Sequence, residues 1–313
     1  MDMYIAVDIG GTQIRVAVYP KGENRPLKQK RIPTQGAGET PLERLIGLIA
    51  ELWPVNDRVC SIGAAAPGPI NHQLGVIYSA PNIPGWERLP LAQILQERFG
   101  VPARLGNDAN LAALGEWRFG AGQGHHDLLY LTISTGIGGG VIMDDRLLLG
   151  YHGLAAELGH VTVLPDGPVC GCGHRGHLEA VGSGTAIARY VAEQLAQGVP
   201  SSLSQTMRPS ARDIAMAAEQ GDPLAKAAFA RAGTYVGHAI GDYLHIFNPS
   251  IIVLGGGVSR AGALLIEPLR AAMAERVISP EYLHGLVIAL AALGDDAGLM
   301  GALALAIGAD KDS

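Results

Sequence analysis

The sequence predicts an α/β protein of two lobes with a cleft between them, and three observations carry that prediction. The chain has 313 residues, more than one core ordinarily organises. It is 48% hydrophobic, only 17% charged and holds 43 glycines, which suits a well-packed α/β enzyme with many tight loops. A strand–glycine turn–strand unit near the start returns about 125 residues later, as a duplicated fold would show.

The elements follow in order. Tyr4–Ile9 is a short apolar strand, then Asp8-Ile9-Gly10-Gly11-Thr12 leads into Ile14, Val16 and Val18 alternating with Arg15 and Ala17. Period-two alternation straight after glycines predicts a hairpin. Leu42–Trp53 has helical periodicity, Val59–Ala64 reads as a buried strand, and Ala66–Pro69 and Pro81–Gly85 are stiff loops. Val101–Leu105 is a strand feeding a helix from about Ala109 to Trp117. The second half repeats the device: strand Leu128–Ser134, turn Thr135–Gly140 and return strand Val141–Met143. The 191–221 region reads as a largely helical, polar outer cover. Pro249–Leu254 is a buried strand ending in Gly255-Gly256-Gly257, the apolar run Leu286–Leu293 reads as another, and Asp295-Asp296-Ala297-Gly298 opens a last Ala/Leu helix.

Composition also excludes several classes. A net charge of −6 without a Lys/Arg cluster argues against a nucleic-acid partner. No apolar run reaches the roughly 20 residues that span a bilayer. Met1-Asp2-Met3 offers no basic leader or cleavage site, and three cysteines form no disulfide framework, so a cytoplasmic location is expected.

Chemistry concentrates at four places. Gly10, Gly11 and Thr12, and again Thr135, Gly136, Gly138 and Gly139 in Ser134–Gly140, offer backbone N–H groups unobstructed by bulky side chains, as phosphate oxygens require. Asp8 beside the first turn suits Mg²⁺ through water. A Walker A loop would need a following helix and a Gly-Lys-Ser/Thr triplet, and neither is present. Each turn taken singly also reads as a sharp hairpin needing positive φ. Asp108, in Gly106-Asn107-Asp108-Ala109-Asn110, stands between a strand and a helix start. It reads equally as a helix N-cap or as a proton acceptor, and the helix N-terminus predicts that its pKa is not high. Finally His160, Cys170, Cys172 and His177, spaced 10, 2 and 5 apart with glycines between, predict a tetrahedral structural Zn²⁺ site.

Taken together and in this order, these motifs resemble the ROK family of sugar kinases over essentially the whole chain. The resemblance implies the two-lobed actin-like ATPase (ribonuclease H-like) fold with a central interlobe cleft. It implies a small lobe of residues 1–117 completed by a closing helix at 298–313, and a large lobe of 118–297. Asp8–Thr12 and Ser134–Gly140 become the phosphate motifs, and Gly255, Gly256 and Gly257 the adenosine-side loop. Asp108 becomes the catalytic base, and Asn82, Asn107, Glu157, His160 and Glu179 the sugar contacts. The family pattern has Cys where this chain has His177. The implied activity is ATP- and Mg²⁺-dependent phosphorylation of a hexose 6-hydroxyl, glucose first. The alternatives are another hexose or N-acetylhexosamine, or a non-catalytic sugar-sensing regulator. That regulator class carries a DNA-binding segment ahead of the first strand. A homodimer or homotetramer is expected.

Overall fold

Two five-stranded sheets with the same strand order organise the molecule. In the computed structural model, residues 1–80 and 82–311 are described. Pro81 of the expected stiff loop, and residues 312–313 of the expected closing helix, lie outside them.

The first sheet begins with β1 (Asp2–Ile9), β2 (Gln13–Pro20) and β3 (Lys28–Pro33) as an antiparallel meander. Helix α1 (Pro41–Leu52) starts at a capping box, in which Thr40 accepts from Glu43 N and the Glu43 carboxylate accepts from Thr40 N. It ends before β4 (Arg58–Ala66), parallel to β1. A small sheet of β5 (Ile70–Asn71), β6 (Val76–Ser79) and β7 (Glu87–Leu89) follows, then α2 (Leu91–Phe99) and β8 (Ala103–Asn107) parallel to β4. Helix α3 (Asp108–Phe119) leads to the second sheet.

There β9 (Leu128–Ile133), β10 (Ile137–Met143) and β11 (Arg146–Leu147) repeat the meander. Four helices follow: α4 (Leu178–Gly182), α5 (Gly184–Ala196), α6 (Ala211–Glu219) and the long α7 (Pro223–Phe247). Strand β12 (Ile251–Gly255) pairs parallel with β9, α8 (Ala263–Arg276) packs on α7, and β13 (Val287–Leu290) adds an edge parallel to β12. The orders β3-β2-β1-β4-β8 and β11-β10-β9-β12-β13 are the same pattern, so the duplication legible in the two glycine hairpins extends through both sheets.

Helix α9 (Ala297–Lys311) leaves the second sheet and returns to pack on β1, β4 and α3. Glycine permits the approach: a Cβ at Gly301 would run into the Leu111 carbonyl of α3, and one at Gly63 into the Ala302 carbonyl.

Three expectations change. Gly138, Gly139 and Gly140 belong to strand β10, not to a turn; the turn proper is Ser134–Gly136, where Ser134 N donates to the Gly136 carbonyl. Added Cβ atoms there would press on Ala109, Leu158 and Ala113, so these glycines let the flanking segments lie close to the strand. The Leu286–Leu293 run yields a half-exposed edge strand, with Val287 41% and Leu290 47% accessible, because no strand among the described residues pairs beyond it. The 191–221 cover is only partly polar: Val191, Leu203, Ile214 and Ala218 enter the main core. No helix among the described residues is long and apolar enough to cross a membrane.

Candidate active site

A cleft of about 830 Å³ brings together Asp8 from β1, Asn82, Asp108 from α3, Thr135 and Gly136 from the second hairpin turn, and Glu179 from α4. A second cavity of about 830 Å³ continues past Ser134 and Thr135 to Thr185, Arg212, Gly257 and Arg260. A small pocket of about 90 Å³ lies between Asn107, Asp108, Gly138, Gly139 and Glu157. The three cavities adjoin through shared residues, Ser134 and Thr135 on one side and Asp108 and Gly138 on the other, and together hold most of the residues expected from sequence.

Asp108 owes its place to its neighbour. Strand β8 ends at Asn107, whose extended backbone (φ −63°, ψ 143°) puts its side chain over the start of α3. Its Oδ1 accepts from Ala109 N at 3.0 Å and Asn110 N at 3.2 Å, and its Nδ2 donates to the Gly68 carbonyl at 3.2 Å. Asn107 is therefore the N-cap, and Asp108 is the first helical residue. Asp108 Oδ1 shares the Ala109 N–H at 2.8 Å, while Oδ2 has no hydrogen-bond partner among the described residues.

The expectation of an ordinary carboxylate does not hold for Asp108. Crowding by protein, with the charges of Asp8 and Glu157 adding to it and the Ala109 N–H opposing it, pushes its pKa up to about 6. Its outer edge stays open to the cleft, so water tempers the desolvation while the cleft is open. The helix N-terminus is outweighed.

At the first hairpin turn, Gly10 N donates back to the Gln13 carbonyl at 2.9 Å, so that N–H is not free for a ligand, contrary to expectation. Thr34 Oγ donates to the Gly10 carbonyl at 2.6 Å, and Thr34 N to the Thr12 carbonyl at 2.9 Å, fixing the turn to β3's end. Gly11 lies so close to Asn82 that an added Cβ would sit 2.8 Å from the Asn82 Cβ. Gly10, Gly11 and Thr12 are not among the lining residues of the two larger cavities, and the missing side chain at Gly11 leaves room for Asn82. Gly255 closes β12, Gly256 takes φ +83° against the Ile133 backbone, and Gly257 reaches the second cavity.

Glu179 joins two features. One oxygen accepts from Ile137 N at 3.1 Å, just after the second turn, and the other from the Cys170 thiol at 3.3 Å. Beside it, ligand atoms of His160, Cys170, Cys172 and His177 all lie within 4.8 Å of one another. Tetrahedral zinc with bonds of ~2.0–2.3 Å sets ligand edges near ~3.3–3.8 Å. Cys170 Sγ is 3.7 Å from His160 Nδ1, and Cys172 Sγ is 3.2 Å from His177 Nδ1, so two edges of the donor set lie near those of a Cys₂His₂ site, which small side-chain shifts would close. His177 precedes α4 without capping it, which leaves its ring for the cluster. His174 stacks on His177 with ring centres 5.7 Å apart, and its Nδ1 lies 3.8 Å from Cys172 Sγ. The other His160 nitrogen, Nε2, lies 4.0 Å from Glu157. Burial, with the Glu179 carboxylate adding to it, pushes the Cys170 thiol up to about 11, so a metal has a proton to displace there.

Sequence reasoning missed Arg15, which lines the cleft and pairs with Asp8. The signal existed in the hairpin register: a turn at 10–13 puts residue 15 directly opposite residue 8.

The chain belongs to the ROK family, whose model matches residues 4–309. It is 38% identical over 308 residues to a glucokinase of Thermotoga maritima, covering 96% of each chain. Among solved structures it resembles a ROK family glucokinase from Streptomyces griseus in complex with glucose and AMPPNP, at 36% identity and TM-score 0.78 over 98% of this chain and 99% of that one. It also resembles a ROK hexokinase from Thermus thermophilus, at 38% identity and TM-score 0.81 over 99% and 100%. The two repeated sheets are those of the two-lobed actin-like fold of that family.

Proposed function

We propose that the protein transfers the γ-phosphoryl group of ATP to the 6-hydroxyl of a hexose, glucose above others. The observation that carries this reading is the Asp108 carboxylate, released from capping by Asn107 and opening between the small polar pocket and the groove that runs past Thr135. A sugar in the small pocket would meet Asn107, Asp108 and Glu157, with Asn82, His160 and Glu179 around it. ATP would lie along the larger cavities, its phosphates at Thr135 and Gly136 and its adenosine towards Gly257. Similarity to glucokinases supports glucose as the sugar.

The chemistry follows from the charges. Asp108 at a pKa of about 6 is ionised at neutral pH, yet more basic than an ordinary aspartate. It orients the hydroxyl through Oδ2 and takes its proton as the O–P bond forms, which a loose phosphoryl transfer requires only late. Asp8 would hold the hydrated Mg²⁺ that accompanies ATP; when bound, the ion neutralises charge on the phosphate oxygens. Asn107 and Glu179 are each fixed by their own hydrogen bonds, so the sugar meets preset partners.

Zn²⁺ on His160, Cys170, Cys172 and His177 would brace the loop that presents Glu179 and His160 to the sugar. The lobes would comprise residues 1–117 with the helix from 298 onward, and 118–297, closing over both substrates. Three free cysteines fit a cytoplasmic setting. Exposed Ile246 and Ile278, gathered by the bond from Ile278 N to His245 Nε2 at 3.1 Å, fit burial in a homodimer or homotetramer.

A coupled ADP-release assay across glucose, mannose, fructose, N-acetylmannosamine and N-acetylglucosamine tests the reading. Glucose should give the highest kcat/KM. A higher value for another sugar would move the protein to that substrate, and no turnover with any would point to a sugar-sensing regulator.

A further inference from the structure

Arg15 stands on β2 directly opposite Asp8 on β1, with its side chain only 14% exposed. Its guanidinium holds Asp8 Oδ2 from two nitrogens, Nε at 3.0 Å and Nη2 at 2.6 Å. Nη1 donates to Asp296 Oδ1 at 3.0 Å, and Nη2 also donates to the Asp295 carbonyl. One side chain thereby ties the first hairpin to the passage from the second sheet into α9. Glu116, fully buried on α3, grips the same passage by accepting from Ala292 N at 3.1 Å and Leu293 N at 2.8 Å.

Charge and geometry make this more than an ion pair. Among the residues lining the cleft are four carboxylates, Asp8, Asp108, Glu179 and Asp295, against two cations, Arg15 and Arg189. Arg189 is already committed to the Ala180 carbonyl and lies 3.6 Å from Glu193. A polyphosphate entering so acidic a cleft requires Asp8 to be either compensated or turned towards a cation. Both Arg15 bonds to Asp8 fall on Oδ2, and Oδ1 has no hydrogen-bond partner among the described residues. With Oδ2 held from two nitrogens and Cβ held by the strand, the side chain has little freedom left, and Oδ1 keeps one direction.

We propose that Arg15 is a positioning residue for phosphoryl transfer. It presets Asp8 so that Oδ1 meets the hydrated Mg²⁺ of the nucleotide, and it couples that setting to the passage into α9. The role rests on the kinase reading above. A lysine at this position would supply the charge without the fork.

Calorimetry with AMPPNP, with and without Mg²⁺, on the wild type, Arg15→Lys and Arg15→Met tests it, alongside glucose titration, turnover and melting. In Arg15→Met the gain in AMPPNP affinity that Mg²⁺ brings should shrink roughly tenfold, as for one lost charge-assisted contact. Glucose should bind as before, metal-free AMPPNP should weaken because Asp8 is left uncompensated in the cleft, and turnover should fall about 10²-fold through misplacement of the metal carboxylate. Arg15→Lys should lie between the two. A full Mg²⁺-linked gain in Arg15→Met overturns the proposal. So does a parallel loss of glucose binding and melting temperature, which marks a merely structural pair. A wild type that binds Mg²⁺-AMPPNP but phosphorylates no hexose sinks the kinase reading, while the Mg²⁺-linked gain still decides the pairing of Arg15 with Asp8.

Discussion

Asn107 accepts from the Ala109 and Asn110 N–H groups and so occupies the capping position beside Asp108. The helix start is satisfied by an uncharged amide, and the carboxylate one residue later is left with a free oxygen on the cleft. An aspartate at the cap itself would have spent its charge on the backbone.

The environment of Asp108 predicts a pH profile. Only the ionised form can accept the sugar proton, so kcat/KM should rise with pH through about 6 and level off above it. The linked effect on stability runs the other way. A carboxyl whose pKa is raised on folding holds its proton more tightly in the native state, so its contribution to stability is lost as pH climbs from about 4 to 6. Asp108→Asn should accordingly melt higher than the wild type at pH 7, with the gap closing towards pH 4. A kcat/KM that stays flat down to pH 5 would contradict the raised pKa.

The metal set predicts a graded response at position 177. The purified protein should carry one Zn²⁺ per chain, and His177→Cys should keep both metal and activity, because thiolate and imidazole bonds differ by only ~0.2–0.3 Å. His177→Ala leaves three ligands on the loop that positions Glu179, so the sugar KM should rise while nucleotide affinity changes little. Elemental analysis with sugar and ATP titrations reads this out. Full zinc occupancy in the alanine variant would transfer the fourth bond to His174, whose ring stacks alongside.

Closure is testable in solution. The sugar contacts proposed here come from both repeats, Asn82 and Asn107 from the first and Glu157, His160 and Glu179 from the second. A ligand gripping both favours the state in which they are nearer. Small-angle scattering should show a smaller radius of gyration with saturating glucose. An unchanged profile would argue against closing lobes.

What the sequence disclosed was local. Glycines between alternating runs mark both hairpins, Asn107-Asp108 sits at a strand–helix junction, and Cys170-Gly171-Cys172 announces a metal loop. What it withheld depends on residues far apart in the chain. The raised pKa of Asp108 needs Asp8 and Glu157 beside it. Arg15 read as the polar half of a strand's alternation, because its link to Asp295 and Asp296 spans about 280 residues. Gly138 and Gly139 read as turn residues from sequence, because the α3 residue Ala109 and Leu158 that press on them are distant in the chain. An apolar run gives no sign of whether it lies at the centre or the edge of a sheet, and β13 lies at the edge.

In the proposed mechanism Asp108 takes the proton from the sugar hydroxyl. Asp108→Asn keeps the volume and a hydrogen-bonding side chain while removing the acceptor. Steady-state turnover with saturating glucose and Mg²⁺-ATP should fall by at least ~10²-fold, with glucose affinity by calorimetry changed far less. Retention of more than about a tenth of the wild-type rate would show that the proton leaves by another route.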